Sequence, residues 1–137
     1  MDIVLPIKVT ELGVRDFYFE SLDKSVELYG TGESLGEALN LAKTAAEFSL
    51  FDMFEEGIEF PVFDKKKYSS FEKESSANEF FTLINTNLQN VLEKFGDETV
   101  KKTISIPKYQ EHYLARKGIS LSKYVQNNIE RDLQANM

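Results

Sequence analysis

The chain has 137 residues with 42% apolar side chains, which suits one domain or a compact domain with a small appended module. It contains no cysteine, and this excludes disulfides, zinc–thiolate sites and cysteine nucleophiles. Its net charge is −7, and it has neither a signal-peptide pattern nor an apolar run near the roughly 18 residues of a membrane span, which predicts a soluble cytoplasmic protein.

Three segments near the N-terminus have the alternation of β-strands: residues 3–9, 16–22 and 25–30. Short clusters of Gly, Asp, Lys and Ser separate them, which predicts an antiparallel meander. Pro6 predicts that the first strand lies near a sheet edge, because proline has no N–H to donate to a neighbouring strand.

The strongest helix signal covers residues 34–57. Ser34 and Glu37 form an S-x-x-E capping box at its start, and Gly57 ends it. The apolar positions between them recur at helical spacing. Many of them are alanine, which predicts close packing of this helix on a sheet.

Residues 61–79 are polar, charged and rich in serine, which predicts a loop or linker. Residues 80–84, "FFTLI", predict a further strand. Asn87 is placed to cap a short helix that Gly96 closes. The N-terminal part therefore predicts an α+β fold, with an antiparallel sheet packed against one long helix.

Candidates for chemistry in the N-terminal part are weak. Metal-dependent phosphodiester cleavage needs converging carboxylates, and Asp16, Glu20, Asp23 and Glu27 are near one another in sequence but lack a recognisable spacing. A solvated acidic face, or a face that meets a basic partner, is the better interpretation. His112, the single histidine, is interpreted as a surface or packing residue. We predict no enzyme activity, no catalytic residue, no metal and no cofactor.

Two further groups have an ordinary and a functional interpretation. The aromatic group is either core beneath the predicted loop or a binding patch; it comprises Phe51, Phe54, Phe60 and Phe63. The lysine run is either solvated or a nucleic-acid contact; it comprises Lys65, Lys66 and Lys67.

The last forty residues are organised differently. In "VKKTISIPK" the side chains alternate, so that apolar and polar residues lie on opposite faces of a strand. Pro107 fits the first turn of a helix that runs to Gly118, and Ser120 is placed to cap a second helix. A lone strand with two short helices leaves apolar side chains and backbone groups unpaired, which pairing with a second copy would solve.

A paired ribbon of this kind has an apolar face for the helices and a polar face that fits the DNA major groove. The first turn of the second helix can hold a phosphate. The predicted dimer core is Ile104, Ile106, Tyr124, Val125 and Ile129. The predicted DNA-binding residues are Lys101, Thr103, Ser105, Ser120, Ser122 and Lys123.

Charge also divides the chain. Residues 1–96 carry 9 Lys and Arg against 18 Asp and Glu, or −9, whereas residues 97–137 carry 7 against 5, or +2. An acidic body with a mildly basic tail suggests two partners of opposite charge, although acidic residues also serve solubility.

The C-terminal pattern resembles the ribbon-helix-helix family of bacterial repressors through "KTISIPKY" and the turn in "GISLSKYV". The N-terminal part resembles HicB-family antitoxins through "YGTGESLGEALNLAKTAAEF" and "EEGIEFPVF". It departs from that family at "FESLDKS", which lacks the prolines and glycine of a F-P-D-L-P-G-like segment. It also departs at Gln110, where an apolar residue is usual.

The resemblance implies a truncated ribonuclease-H-like domain at residues 1–96 and a ribbon-helix-helix module at residues 97–137. It implies a HicB-like antitoxin that neutralises a HicA-type RNA-cleaving toxin. It further implies repression of its own operon through operator DNA, as a homodimer or a dimer of dimers. The alternatives are a ligand-sensing ribbon-helix-helix regulator and a structural adaptor without DNA binding.

Overall fold

The structure, a computed structural model, describes residues 1–136. The chain divides into two compact units: unit 1 is Met1–Glu98, and unit 2 begins at Thr99. The predicted division after residue 96 lies two residues before this boundary. No helix within residues 1–136 is long and apolar enough to cross a membrane.

Unit 1 is built on a four-stranded antiparallel sheet. Its strands are β1 (Asp2–Gly13), β2 (Asp16–Ser21), β3 (Tyr29–Gly32) and β4 (Glu79–Asn87), in the order β3-β2-β1-β4. The antiparallel meander of the first three strands is confirmed. The third strand was predicted at residues 25–30, but it begins at Tyr29 because the preceding residues form a hydrogen-bonded turn.

The predicted edge position of Pro6 is wrong for the strand as a whole, since β1 lies between β2 and β4. The sheet tolerates this proline for a local reason. The carbonyl of Pro6 accepts from the N–H of Leu22 at 3.0 Å, so its nitrogen also faces that side, where β2 has already ended at Ser21. The missing donor therefore falls at the end of the β1–β2 pairing.

Helix α1 (Leu35–Glu56) covers one face of the sheet. The Ser34 side chain accepts from the N–H of Glu37 at 3.1 Å, which confirms the Ser34 half of the predicted capping box. Gly57 ends the helix at φ 69°, as predicted. The predicted alanine stripe is fully buried and comprises Ala38, Ala42 and Ala46.

The core of unit 1 lies between α1 and the sheet. It includes alternate residues of β1 and apolar residues of the other elements, among them Ile3, Leu5, Ile7, Val9, Phe19, Leu50, Ile84 and Val91. A side chain at Gly32 would come within 2.6 Å of the backbone nitrogen of Ala38, so glycine permits this close approach of β3 to α1.

The predicted loop at residues 61–79 is wrong in its middle, because helix α2 (Lys65–Lys73) lies there. The Asp64 side chain caps it, accepting from the N–H groups of Lys66 and Lys67. The Tyr68 ring packs on Phe63 with 5.7 Å between centroids. Only Tyr68 and Phe71 of its nine residues are apolar, which is why the charged and polar composition favoured a loop.

Helix α3 (Leu88–Phe95) follows β4 without a loop, and its predicted caps are confirmed. The Asn87 side chain accepts from the N–H of Gln89 at 2.8 Å, and Gly96 donates to the carbonyl of Leu92. The Phe95 ring packs on Phe48 and Phe51. These contacts place Phe51 and Phe63 in two different aromatic clusters rather than in one group.

The segment that departs from the HicB pattern is held by side-chain hydrogen bonds instead of prolines. The Ser21 hydroxyl donates to the carbonyl of Asp23 at 2.7 Å and accepts from its N–H. The Asp23 carboxylate accepts from the N–H and hydroxyl of Ser25. The N–H of Ser21 donates to the carbonyl of Leu28, which leads the chain into β3.

Unit 2 contains helices α4 (Lys108–Lys117) and α5 (Leu121–Ala135). Pro107 is the N-cap of α4 rather than part of its first turn. Gly118 ends α4 at φ 67°, and the Ser120 side chain caps α5 through the N–H of Lys123, as predicted. None of residues 99–136 is buried.

Candidate nucleic-acid and dimer interface

The segment that precedes α4 has neither helix nor strand structure within the single chain. Its predicted DNA-facing residues are all exposed: Lys101, Thr103 and Ser105. Ile104 is 52% exposed, and Ile106 is half-buried. Strand pairing of this segment with a second copy stays a prediction. Such pairing would bury Ile104, whose contact with water is unfavourable in free energy.

An apolar groove runs across unit 2. Its floor is made by side chains from the extended segment and from both helices, namely Ile104, Ile106, Leu114, Leu121 and Val125. Three tyrosines stand along it: Tyr109, Tyr113 and Tyr124. Gln110, where the resemblance led us to expect an apolar residue, also lines it.

The groove brings four of the five predicted dimer-core residues together. Ile104, Ile106, Tyr124 and Val125 line it, whereas Ile129 lies outside it on α5. Tyr124 is 49% exposed and Ile129 is 61% exposed. A soluble protein rarely leaves so continuous an apolar surface uncovered, so this face has the character of an interface.

The size of unit 2 leads to the same conclusion. Fewer than about 40 residues seldom fold alone without disulfides, metal or oligomerisation. The chain has no cysteine, and no residue of 99–136 is buried. Unit 2 therefore has no buried core of its own within residues 99–136.

The start of α5 has the geometry of an anion site. Ser120 uses its oxygen to accept from the N–H of Lys123 at 3.2 Å, which leaves its hydroxyl proton free to donate. The N–H groups of Leu121 and Ser122 lie in the first turn of α5, where backbone N–H groups have no intrahelical carbonyl to donate to. Ser120, Ser122 and Lys123 are exposed, as a phosphate contact requires.

Two residues that sequence reasoning missed extend this surface. Asn127 and Arg131 line a groove of α5 together with Ser120 and Lys123. Lys123, Asn127 and Arg131 are spaced by four residues and so share one helix face. That spacing was the signal that the sequence offered for this face of α5.

Two of the four candidate carboxylates of unit 1, Glu20 and Asp23, have structural contacts of their own. Glu20 pairs with Lys8 at 3.2 Å, and Asp23 holds the turn after β2. Within residues 1–136, no three His, Asp or Glu side chains are grouped closely enough to hold a metal ion. His112 is exposed on α4.

Lys8 joins Glu20 and Glu79 across three strands on the sheet face opposite α1. Burial alone would lower the pKa of Lys8, but hydrogen bonds and charge from both glutamates raise it above its ordinary value. Hydrogen bonds from Ser76 and the charge of Lys8 lower the pKa of Glu79. Lys8 and Glu79 are therefore both charged near neutral pH.

The two units carry opposite net charge. Unit 1 has 9 Lys and Arg against 20 Asp and Glu, or −11, and the residues from Thr99 onward have 7 against 3, or +4. The exposed lysines of α2, Lys65 to Lys67, are a local exception within unit 1. The contrast between units is sharper at the structural boundary than at residue 96.

The fold is similar to those of two solved structures. One is a toxin–antitoxin complex from Streptococcus pneumoniae, with a TM-score of 0.51, 17% identity, and coverage of 96% of this chain and 99% of that chain. The other is the Burkholderia pseudomallei antitoxin HicB, with a TM-score of 0.53, 15% identity, and coverage of 98% and 99%. This chain has a HicB-like antitoxin fold. No protein-family model and no curated protein sequence matches it.

Proposed function

We propose that this chain is an antitoxin that binds and neutralises a HicA-type RNA-cleaving toxin through unit 1. We further propose that unit 2 binds operator DNA as a ribbon-helix-helix dimer and so represses the chain's own operon. The protein acts by binding and performs no catalysis. The similarity to a HicB antitoxin over 98% of the chain supports the antitoxin role.

The observation that carries the DNA-binding part is the incomplete core of unit 2. A second copy would cover the groove around Ile104 and Val125 and would pair the extended segment. Pairing by two-fold symmetry would place Lys101, Thr103 and Ser105 of both copies on one polar ribbon face. Such a ribbon matches the width of the major groove, and Ser120 would anchor phosphate.

The charge of unit 1 supports the toxin-binding part. A protein that cleaves RNA must attract phosphates and is expected to be basic. The net charge of −11 on unit 1 would speed association with such a partner and favour it over acidic proteins. The positive charge of unit 2 suits DNA in the same way.

Co-expression with the adjacent reading frame tests the proposal. We expect a short basic protein that arrests growth alone and co-purifies with this chain. A charge-reversal variant tests the role of the acidic surface. In it Asp52, Glu55 and Glu56 of α1 are replaced by Lys; if toxin binding follows the acidic surface, complex formation weakens while unit 1 stays folded. A neighbouring reading frame that encodes a metabolic protein without toxicity would favour the ligand-sensing regulator instead.

A further inference from the structure

A small polar pocket lies in unit 1, between α1, the start of α3 and the end of the sheet where β1 begins and β4 ends. Its volume is about 200 Å³. Every residue that lines it is polar or charged, and these residues include Asp2, Lys43, Glu47, Thr86, Asn87 and Asn90. The pocket therefore has the lining of a site for a small polar group.

Within residues 1–136, three polar or charged residues are buried, and two of them line this pocket. Ser21 is the exception, and its hydroxyl both donates and accepts within the turn after β2. Glu47 is 8% exposed, and its Oε1 lies 3.4 Å from the Nζ of Lys94. Thr86 is 7% exposed, and no side-chain hydrogen bond within residues 1–136 involves its hydroxyl.

Two oxygen atoms of the pocket thus have no hydrogen-bond partner within residues 1–136, the hydroxyl of Thr86 and the Oε2 of Glu47. Every fully enclosed side-chain oxygen in this part of the chain does have a partner. These two oxygens are therefore open rather than sealed in the core, and the pocket that they line is the opening. Because a nearly buried polar atom without a hydrogen bond costs free energy, the pair favours a ligand group that donates to both.

The charge of the pocket selects a cationic group. Asp2 and Glu47 contribute two negative charges against one positive charge on Lys43, which is exposed to solvent. One oxygen of Asp2 accepts from the side-chain amide of Asn87 at 3.0 Å, which leaves the other oxygen for a ligand. The net charge of −11 on unit 1 draws a basic partner toward the same surface.

We propose that this pocket binds the guanidinium group of an arginine from the basic toxin that unit 1 neutralises. This inference rests on the antitoxin function proposed above and names the site on unit 1 that anchors the contact. A guanidinium has five N–H donors in one plane, so it can donate to Glu47, Thr86 and Asp2 together. A lysine ammonium is more strongly hydrated and loses more on leaving water.

The size of the pocket fits an anchor within a larger contact. A volume of about 200 Å³ holds the end of one side chain and excludes a helix or a strand. Arginines in well-fitted, desolvated pockets are among the residues that contribute most to the affinity of protein interfaces. The remaining acidic surface of unit 1 would then guide the approach of the toxin, while the pocket slows its release.

The ion pair of Lys94 with Glu47 allows recognition to be separated from stability. The pair joins α3 to α1, and the side chain of Lys94 is 50% exposed. Lys94→Met removes the pair but keeps the carboxylate of the pocket, so it should lower thermal stability and leave toxin binding at least as tight as in the wild type. Thr86→Val keeps the pair and the shape of the side chain but removes the hydroxyl.

Isothermal titration calorimetry of the full chain tests the site, with the basic protein encoded by the adjacent reading frame as the titrant. We expect Thr86→Val to weaken binding about tenfold and Glu47→Gln to weaken it at least about thirtyfold. The matched controls are Thr31→Val on β3 and Glu59→Gln after α1, which change exposed residues and should bind like the wild type. Circular dichroism of each variant checks that unit 1 is folded.

The possible outcomes separate the pocket from the antitoxin function. Wild-type affinity in both Thr86→Val and Glu47→Gln would overturn the pocket and leave the antitoxin function standing. A loss in Lys94→Met as large as the loss in Glu47→Gln would assign Glu47 to the packing of α3 and would also overturn the pocket. A wild-type chain that does not bind the basic protein would overturn the proposed function and, with it, the anchor.

The toxin's side of the contact can be located by replacing its arginines with lysine, one at a time. One replacement should weaken binding about tenfold in the wild-type background but much less in the Thr86→Val background, because both changes remove the same contact. Losses that are additive with Thr86→Val for every arginine of the toxin would contradict the assignment of an arginine to this pocket.

Discussion

Units 1 and 2 reach burial by different routes. Unit 1 buries its own apolar residues, because α1 brings an alanine stripe within packing distance of the sheet, and Leu5, Ile7 and Leu50 lie at full burial. Unit 2 has capped helices of good geometry but no buried residue among 99–136. This difference shows that well-formed secondary structure is not sufficient to form a buried core. We propose that a second copy covers the apolar surface that unit 2 leaves exposed.

The largest effect is expected from breaking the core that we propose unit 2 shares with a second copy. Ile104→Asp would place an unpaired charge in the dimer core, at a cost of several kcal/mol. We expect the mass of the full chain in sedimentation equilibrium to fall by half, with unit 1 unaffected in circular dichroism. Ile104→Val is the control and should keep the mass. An Ile104→Asp chain with wild-type mass at micromolar concentration would remove Ile104 from the interface.

The corresponding substitution in unit 1 creates a cavity in a core that unit 1 completes by itself. Leu50→Ala removes a fully buried side chain from α1 and should lower the free energy of unfolding of unit 1 by about 2–5 kcal/mol. Thermal unfolding measures this loss. Operator binding at a temperature where unit 1 remains folded should not change, and a parallel loss of DNA affinity there would show that the two units are not independent.

A smaller effect is expected on the polar face of the ribbon. Thr103→Ala should reduce discrimination between operator and random DNA by at most about 1–3 kcal/mol. Lys101→Ala should weaken binding to both DNAs and lower the dependence of affinity on salt. Lys43→Ala, on an exposed lysine of α1, is the control. Unchanged operator affinity and salt dependence in both ribbon variants would take the ribbon out of the DNA interface.

The smallest effect concerns the ion-paired face of unit 1. The folded pKa of Glu79 lies below its ordinary value of 4.5, so its ionised form stabilises the fold above that pH. This contribution is lost as pH falls through the lower folded pKa. Glu79→Gln should therefore be less stable than the wild type near neutral pH, and the difference in unfolding free energy should shrink on acidification below about 4.5. A difference independent of pH would mean that Glu79 acts through packing alone.

Local signals in the sequence predicted local structure well. Each cap, at Ser34, Asn87 and Ser120, depends on one side chain that accepts from one N–H group two or three residues later. The structure has all three of these hydrogen bonds. Helix α2 was missed because its charged residues hide the packing of Tyr68 on Phe63.

Long-range arrangement was harder to predict. The interior position of β1 depends on β4, which pairs with it from more than 70 residues away, and Pro6 alone suggested an edge. The contact of Lys8 with Glu79 has the same origin. In the candidate site the alternation of Ile104 and Ile106 and the four-residue spacing of Asn127 and Arg131 were readable in the sequence, whereas the groove that joins these two to Ser120 was not.

The most direct test of the central claim separates the two units. Residues 1–98 and residues 99–137 would each be expressed in cells that carry the toxin, and each would be mixed with operator DNA in a gel-shift assay. The account predicts that residues 1–98, folded by circular dichroism, rescue growth without shifting DNA, and that residues 99–137 shift DNA as a dimer without rescue. Rescue by residues 99–137, with none from a folded fragment 1–98, would contradict the account.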